Sequence, residues 1–515
     1  NNIVYAYAKL VGSLPLLKDF IEQVGFCDII DTICPSDPQA FLSYGDVTKI
    51  LIANRLCAPR PLYKVEEWAE KSGVEAVFGI PSNYLNDDKC GRTLEVFADN
   101  AQTLKAAISL DIARKFNIGL EHTHWDLTTV HFEGEYENQD PDAIQIVYTK
   151  DNPKDHNINK SIKVGLDVAN DGKGPIPIFY EALDGNASGF VETIRNMENL
   201  KKHMKLDHIV RINDRGCFSA QILAETKNAG FDLISSVKFT SPLKQIALNA
   251  LPGATFQRMS FIGENQKIKE PSFQDGYAAF EIDHEFSYKE KKYPVRLTIV
   301  RSDGKVKRDQ KNRNKHCQWI GNELNELASK LGSSYYTEER IEKKKNKILS
   351  KYHEGKYYGV NIDIEKNQLD YKILNDKVEE DSIFDGIFLL VTTLPKDEYP
   401  LDRVFTLFKE QHYIERENHI LKGTLKIRPV YLQNQKRIEG LIFILWLTLL
   451  CYLLIERIYR NNSTEPKEKK RTTQSILECF DMYCYSGVMG YSSLFPNPLD
   501  KRQINIYSKL GLRLP

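Results

Sequence analysis

The sequence predicts an α/β protein with a helical N-terminal region and an insertion rich in strands. From residue 14 to about 113, short amphipathic stretches are separated by proline-containing breaks, as expected of helices. Between about 122 and 237, short apolar runs alternate with helical stretches, which predicts strands interleaved with helices. From 240 to about 400, Tyr, Phe, Val and Thr are frequent, and this composition indicates a mostly β segment.

Further helices are predicted near 338–351, over 403–422 and over 437–459. A hydrophilic stretch, NNSTEPKEKKRTT, then precedes a short C-terminal region. The predicted organisation is a helical N-terminal domain (1–115), the first part of an α/β core (120–239), a mostly β insertion (240–400), core helices (401–460), and a linker with the C-terminal region (461–515).

Composition sets the class of protein. A chain of 515 residues with 42% apolar and 27% charged residues is long enough for two or three folded domains. The 70 basic and 70 acidic residues cancel, which excludes a polycation that coats nucleic acid, so any DNA contact must come from local patches. Nine cysteines without a CxxC pair predict free thiols in a reducing cytoplasm and no structural zinc. The opening NNIVYAYAKL predicts a truncated or processed start, not a secretion signal.

The run GLIFILWLTLLCYLLI, residues 440–455, is the most apolar stretch of the chain. Its 16 residues are fewer than the roughly 20 that a membrane-spanning helix needs. Both charge signs flank it, whereas a membrane anchor usually has a basic cytoplasmic edge. We therefore expect a buried core helix and no membrane association; the alternative, a membrane protein, predicts detergent-dependent solubility.

Two aspartates lie where an α/β sheet would place a site. Asp126, in THWDLTTV, interrupts an apolar and β-branched run, where an unpaired buried charge costs several kcal/mol. Asp214, in HIVRINDRGCFS, follows a predicted strand at its carboxyl end, where sites form in open sheets. Each aspartate alone is more often a turn or helix-cap residue. Together, converging carboxylates would suit Mg²⁺ or Mn²⁺, which prefer oxygen ligands.

The third carboxylate is Glu415, chosen from FKEQHYIERENHILK. Its neighbours Glu410 and Glu417 could equally be solvated charges on a helix. On one continuous helix at 100° per residue, Glu415 shares a face about 60° wide with three other residues. These are Phe408, Gln411 and Lys422.

The spacing of these four residues resembles a known signature. Phe408, Gln411, Glu415 and Lys422 match the Tyr, Arg, Glu, Lys pattern of insertion-sequence DDE transposases that carry a β insertion before the last catalytic residue. Phe408 stands in place of Tyr, and Gln411 in place of Arg, although one branch of the superfamily reads K-x-Q-x-x-I-E as here. Other segments resemble that branch in order: SYGDVTKILIANRLCAPRPLY, YLNDDKCGRTL, HWDLTTVHFEGEY, INDRGCFSAQ and LKGTLKIRPVYLQNQKRIEGLIFI.

The resemblance implies a ribonuclease H-like catalytic core, a mixed five-stranded sheet with flanking helices. It implies Asp126 on the first strand, Asp214 after the fourth and Glu415 on a late helix, holding two Mg²⁺ or Mn²⁺ ions. Lys422 would neutralise a DNA phosphate, with Gln411 in a supporting role. The implied partners are double-stranded DNA, as terminal inverted repeats and target, and a second copy of the chain on paired ends, in the bacterial cytoplasm on the nucleoid.

Several sequence features remain open. Four nearby acids are expected to be solvated or turn residues, and the alternative for one of them is an accessory role at the site: Glu133, Glu135, Asp167 and Asp184. Basic clusters at 305–315, 343–351 and 467–471 could contact phosphates or be solvated faces. Two other functions fit the carboxylates: a decayed or domesticated DNA-binding protein, and a metal-dependent DNA nuclease without strand transfer.

Overall fold

The computed structural model describes residues 6–137, 139–150, 158–206, 208–261, 276–335, 337–425, 432–488 and 493–515. The chain divides into two compact units. Unit 1 comprises Asn1–Leu233 and Phe408–Pro515, and unit 2 comprises Ile234–Leu407. The predicted boundary at residue 115 therefore lies inside unit 1. The segment 426–431, part of the stretch that follows the signature, lies outside the described residues.

Helices and strands are numbered in chain order. The strands are β1 Ala6–Leu10, β2 His122–His131, β3 Val147–Thr149, β4 Asn159–Ala169, β5 Ile176–Leu183, β6 Val210–Asn213, β7 Asp232–Val237, β8 Gln257–Arg258, β9 Tyr277–Tyr288, β10 Lys291–Ser302, β11 Tyr358–Asp363, β12 Gln368–Ile373, β13 Ile387–Thr392, β14 Cys484–Val488 and β15 Leu494–Pro496. The helices are α1 Leu14–Val24, α2 Phe26–Ile33, α3 Tyr44–Cys57, α4 Val65–Ser72, α5 Val74–Phe78, α6 Asp87–Lys115, α7 Gly189–Met204, α8 Ala220–Asn228, α9 Ser241–Ala250, α10 Asp303–Ser329, α11 Glu338–Ser350, α12 Asn375–Ser382, α13 Leu401–Lys409, α14 His412–His419, α15 Gln435–Asn461, α16 Thr473–Leu477 and α17 Lys501–Leu510.

The apolar helix α15 is the centre of unit 1. It packs against α3, α6 and β5, and its side chains from Leu441 to Ile455 are almost all buried. The rings of Phe97 and Phe443 lie 5.1 Å apart between α6 and α15. A Cβ atom at Gly440 would lie 2.0 Å from the carbonyl oxygen of Leu94, so only glycine allows the two helices to approach this closely.

The expected burial of this helix is confirmed. Within the described residues, α15 is the one helix long and apolar enough to cross a membrane. Inside the protein, 94% of its most apolar 18-residue window is buried. The core helix of a folded unit passes the same test of length and composition, and the packing of α15 is of that kind.

The sheet of unit 1 is mixed. Strand β4 pairs antiparallel with β2 and β5, and the three-residue β3 also pairs with β4. On its other side, β2 pairs in parallel with β6. A mixed sheet with flanking helices agrees with the predicted α/β class. Not counting β3, the core strands are β2, β4, β5 and β6, followed by β7, which crosses the boundary between the units at Leu233.

The C-terminal region belongs to unit 1. Strand β14 pairs antiparallel with β1, near the N-terminus, and also with β15. Helix α17 packs against α15, and its Ile506 and Tyr507 are fully buried. The region predicted as linker and C-terminal segment is therefore part of the main hydrophobic core.

Unit 2 combines a sheet with long helices, and the prediction of a mostly β insertion is wrong. Antiparallel pairing joins β13 to β10, β10 to β9 and β9 to β8, while β11 and β12 form a separate hairpin. The longest element, however, is the 27-residue helix α10. Its apolar face is narrow and is limited to Ile320, Leu324 and Leu327 near its end, so the first half lacks the periodicity that predicts a helix.

The predicted helix over 403–422 is interrupted twice. Helix α13 ends at Lys409 and α14 begins at His412, with i to i+3 hydrogen bonds from the amides of Gln411 and Tyr413. After α14 the backbone forms a π-turn over Ile420–Thr424. The rotation of 100° per residue therefore does not hold along the whole segment, and the single shared face predicted for the four signature residues is wrong.

Candidate active site

The backbone places the two aspartates side by side. Strands β2 and β6 run in parallel, and Trp125 is the register partner of Asn213. Asp126 follows Trp125 within β2, and Asp214 follows Asn213 at the carboxyl end of β6. Neighbouring strands are about 4.8 Å apart, so this register makes the two carboxylates neighbours. Asp126 is half-buried and Asp214 is exposed, which leaves one side of the pair accessible.

Helix α14 brings the third carboxylate to the same place. Glu415 lies in its first turn and is exposed, while Ile414 and Glu417 on either side are buried. The pKa of Asp126 is raised to about 6, chiefly by burial and in smaller part by the charges of Asp214 and Glu415, while a hydrogen bond from the Leu127 backbone and the charge of Lys422 oppose the rise. Asp214, Glu415 and Lys422 therefore lie within electrostatic range of Asp126.

Asn418 is a site residue that the sequence did not reveal. It lies three residues after Glu415, so both side chains project from the same side of α14. The Asn418 side chain is buried, and its Nδ2 donates a hydrogen bond of 3.1 Å to Oδ2 of Asp126. Its other polar atom, Oδ1, is buried without a hydrogen-bond partner among the described residues. In the sequence, the signal for Asn418 was its spacing of three residues from Glu415. This spacing is informative only after Glu415 has been chosen as the third carboxylate.

The other glutamates of this segment have different surroundings. Glu410 accepts a hydrogen bond of 2.9 Å from Nδ2 of Asn170, and burial raises its pKa to about 7. Glu417 is fully buried, and burial raises its pKa well above the ordinary value, which favours the protonated form. Neither is arranged as an ionised ligand beside Asp126.

The two predicted phosphate-binding residues lie on the irregular parts of this segment. Gln411 is half-buried in the break before α14, and Lys422 is half-buried in the π-turn. The effect of Lys422 on the pKa of Asp126 places its ammonium group near the carboxylates. For Gln411 the structure describes a backbone position but no hydrogen bond from the side chain to the site.

A divalent cation fits the chemistry of this donor set. In addition to burial, the charges of Asp214 and Glu415 raise the pKa of Asp126, and a cation bound among the three carboxylates would offset that repulsion. Across the described ranges, no three His, Cys, Asp or Glu side chains are grouped closely enough to hold a metal ion. The carboxylates are thus neighbours in an open arrangement.

His124 is close to Asp126 but is not suited to acid–base work at neutral pH. It is fully buried on β2, two residues before Asp126. Its pKa is lowered to about 3, chiefly by burial and in smaller part by the nearby His122, His412 and Arg211. The imidazole is therefore neutral at pH 7.

A buried polar network braces the strands that carry the aspartates. Asp167 on β4 forms an ion pair with Arg211 on β6, and both side chains are fully buried. Asn196 of α7 donates to Asp167 at 2.7 Å and accepts from Arg211, whose guanidinium carbon also lies 5.2 Å from the Trp125 ring centroid. Strand β2 lies between β4 and β6, so the network spans the strand of Asp126.

Asp167 was expected to be a solvated or turn residue, and this prediction is wrong. The aspartate is buried because Arg211 on a non-neighbouring strand neutralises it, and sequence alone does not pair residues so far apart. For the other three acids the prediction is confirmed. Glu133 and Glu135 are exposed, and exposed Asp184 accepts a hydrogen bond of 2.8 Å from the amide of Gln145 in a turn.

Comparisons with known proteins give matches to a family model and to solved structures. Residues 7–110 match a family described as a domain of unknown function, DUF4277. Among solved structures, the chain is similar to the cryo-EM structure of the piggyBac transposase synaptic complex with hairpin DNA. The identity is 9% and the TM-score 0.35, over 92% of this chain and 80% of that chain. No curated protein matches the chain. Neither match identifies the residues of the site.

Proposed function

We propose that the chain is a DDE-type DNA transposase of an insertion sequence, with a ribonuclease H-like core. One observation carries the proposal: adjacent parallel strands place Asp126 beside Asp214, and α14 adds Glu415 to the same electrostatic environment. Carboxylates so arranged suit phosphoryl transfer between DNA strands, which needs hard oxygen ligands and an accessible edge.

The proposed roles follow from position and charge. Asp126, Asp214 and Glu415 would hold two Mg²⁺ or Mn²⁺ ions, which supply Lewis acidity and lower the pKa of a bound water or hydroxyl. Asn418 fixes the orientation of the Asp126 carboxylate through its hydrogen bond to Oδ2. Lys422 neutralises a DNA phosphate beside the carboxylates. The partners would be the terminal repeats, target DNA and a second copy of the chain on paired ends, on the bacterial nucleoid.

The proposal is tested with a labelled duplex that carries the element's own terminal repeat, incubated with a target plasmid and Mg²⁺ or Mn²⁺. We expect cutting at the repeat boundary and joining of the cut end to the plasmid. Cutting without joining would favour a nuclease that uses the same carboxylates. Specific binding of the repeat without cutting would indicate a decayed or domesticated DNA-binding protein, and either result would overturn the transposase.

Lys422 and Gln411 are expected to differ in how salt affects DNA binding. Lys422→Gln should lower the slope of log affinity against log salt by about 1, because one phosphate contact and its released counterion are lost. Gln411→Ala, which removes no charge, should leave the slope unchanged. Filter binding of the end duplex in EDTA over a range of KCl concentrations measures both. Equal slopes for Lys422→Gln and the unmodified protein would exclude the phosphate role of Lys422.

Asn418→Ala should slow cutting by about 10- to 100-fold, because a hydrogen bond to a charged group is worth about 1.5–3 kcal/mol. The loss should appear in kcat, with end-binding affinity unchanged, since the Asn418 side chain is buried and donates to Asp126. Asn418→Asp should be worse than alanine, because it adds a negative charge beside Asp126. Gln474→Ala, at an exposed helix position, is the control. Unchanged kcat in Asn418→Ala would contradict the positioning role.

A further inference from the structure

Helix α10 of unit 2 carries a concentration of positive charge. Six basic residues and one acidic residue lie between Lys305 and Lys315. The helix buries Ile320, Leu324 and Leu327 on one side, which fixes the orientation of the basic half as well. The basic residues therefore separate into those that face the rest of unit 2 and those that face solvent.

The cations on the inward side are paired with acids. Lys305 pairs with Asp309 at 2.5 Å, and Arg313 forms an ion pair with Asp385. His316, one turn further on, lies 3.1 Å from a carboxylate oxygen of Glu354. Asp309, Asp385 and Glu354, which lie around this part of α10, are thus already engaged by side chains of the inward side.

The cations on the outward side form a stripe. Arg308, Lys311 and Lys315 have the spacing i, i+3 and i+7, which places them within about 60° on the helix surface. All three are exposed, and none has an acidic partner among the described residues. The first acid on the same face is Glu326, which is paired with Lys330 at 2.5 Å.

Helix α11 extends this positive surface. It packs against α10, with Lys344 of α11 lying 3.0 Å from Glu323 of α10. Lys351, just after α11, lies over the ring of Trp319 at 3.9 Å from its centroid, on the same face as the stripe. The exposed Lys347, one turn before Lys351, adds a further cation beside it.

We propose that the stripe of Arg308, Lys311 and Lys315 binds the phosphate backbone of duplex DNA, irrespective of its sequence. The proposal rests on the proposed function and adds a surface to it. Charge complementarity favours DNA, because unpaired cations repeated along one helix face match a regularly spaced line of phosphates. Exposed Lys and Arg side chains would contribute to the affinity for DNA and to its salt dependence, but they would not distinguish one base sequence from another.

The test compares two charge-matched triple variants in EDTA, where no cutting occurs. The first replaces Arg308, Lys311 and Lys315 with Gln, which preserves helix propensity. The control replaces three exposed basic residues of unit 1, Lys501, Arg502 and Arg513, with Gln. Affinity is measured for a repeat-bearing duplex and a scrambled duplex over a range of KCl concentrations, and thermal denaturation verifies that both variants fold.

The stripe variant should lose about 10- to 100-fold in affinity for both duplexes near physiological salt, and its salt slope should fall by about 3. The control variant should bind as the unmodified protein does. Unchanged binding by the stripe variant, or an equal loss in both variants, would overturn the inference while leaving the proposed function intact. Failure of the unmodified protein to bind any duplex would overturn both. Loss for the repeat alone would contradict backbone binding.

Discussion

Asp214→Asn is expected to reduce metal-dependent DNA cutting by about 1,000-fold or more. The substitution keeps the shape of the side chain but removes one of the charges that act on Asp126. Metal-assisted stabilisation of the transition state is worth several kcal/mol, and each 1.4 kcal/mol is about tenfold in rate. Single-turnover cutting of the end duplex measures the loss. Glu135→Gln, an exposed acid beyond the end of β2, is the matched control and should cut normally.

Inactivating the site by substitution of Asp126 is expected to make the metal-free protein more stable. Burial and the neighbouring carboxylates raise the pKa of Asp126 to about 6, so its ionised form is disfavoured in the folded protein at pH 7. Asp126→Asn should therefore stabilise the metal-free protein by up to about 2–3 kcal/mol. Added Mn²⁺ should raise the melting temperature of the unmodified protein but not of the variant. A variant that is less stable without metal, or equally stabilised by it, would contradict the site.

The second large effect is expected in the buried network of Asp167 and Arg211, which braces the strands of the site. Asp167→Ala should destabilise the fold by about 3–5 kcal/mol, because it leaves the fully buried guanidinium of Arg211 without its counter-charge. Urea denaturation followed by tryptophan fluorescence is suitable, since the Trp125 ring lies 5.2 Å from that guanidinium carbon. Without Asp167, nothing offsets the free-energy cost of burying the Arg211 charge.

The double variant Asp167→Leu with Arg211→Met separates the ion pair from packing. Replacing both charges with apolar groups of similar size should restore much of the stability lost in Asp167→Ala. If the single variant instead loses less than about 1 kcal/mol, the network does not brace the strands. If the double variant is as unstable as the single one, geometry in the network matters more than its charge.

The sequence predicted the elements that local patterns define. The alternation of apolar runs and helices from 122 to 237 gave the mixed α/β core of unit 1. Asp126 was informative because a charge within an apolar strand is costly, and Asp214 because it follows a strand. The burial of α15 followed from its short apolar run and mixed flanking charges.

Other features depend on contacts that sequence patterns do not record. The pairing of β1 with β14 joins residues near opposite ends of the chain. The partner of Asp167 is on a strand that is not its neighbour. The π-turn after α14 has no residue type that marks it in advance, so the assumption of one continuous helix failed there. The basic first half of α10 lacks an apolar stripe, so its helix was missed.

The prediction of Glu415 from residue spacing differs from these cases. It assumed one helix from Phe408 to Lys422, which the structure does not have. Glu415 and Lys422 nevertheless act on Asp126, and α14, which carries Glu415, packs against β2. Glu415 and Lys422 thus lie near Asp126, although the backbone between them is not the continuous helix that was predicted. The spacing was a useful guide to the residues, and the helix face was a poor account of their geometry.

The most direct test of the central claim is the position of Mn²⁺ in crystals of the protein with its end DNA, located by anomalous scattering. The account predicts a peak in contact with both Asp126 and Asp214, with a further ligand from Glu415. Mn²⁺ bound only elsewhere, with the three carboxylates free of metal beside a bound DNA end, would contradict it.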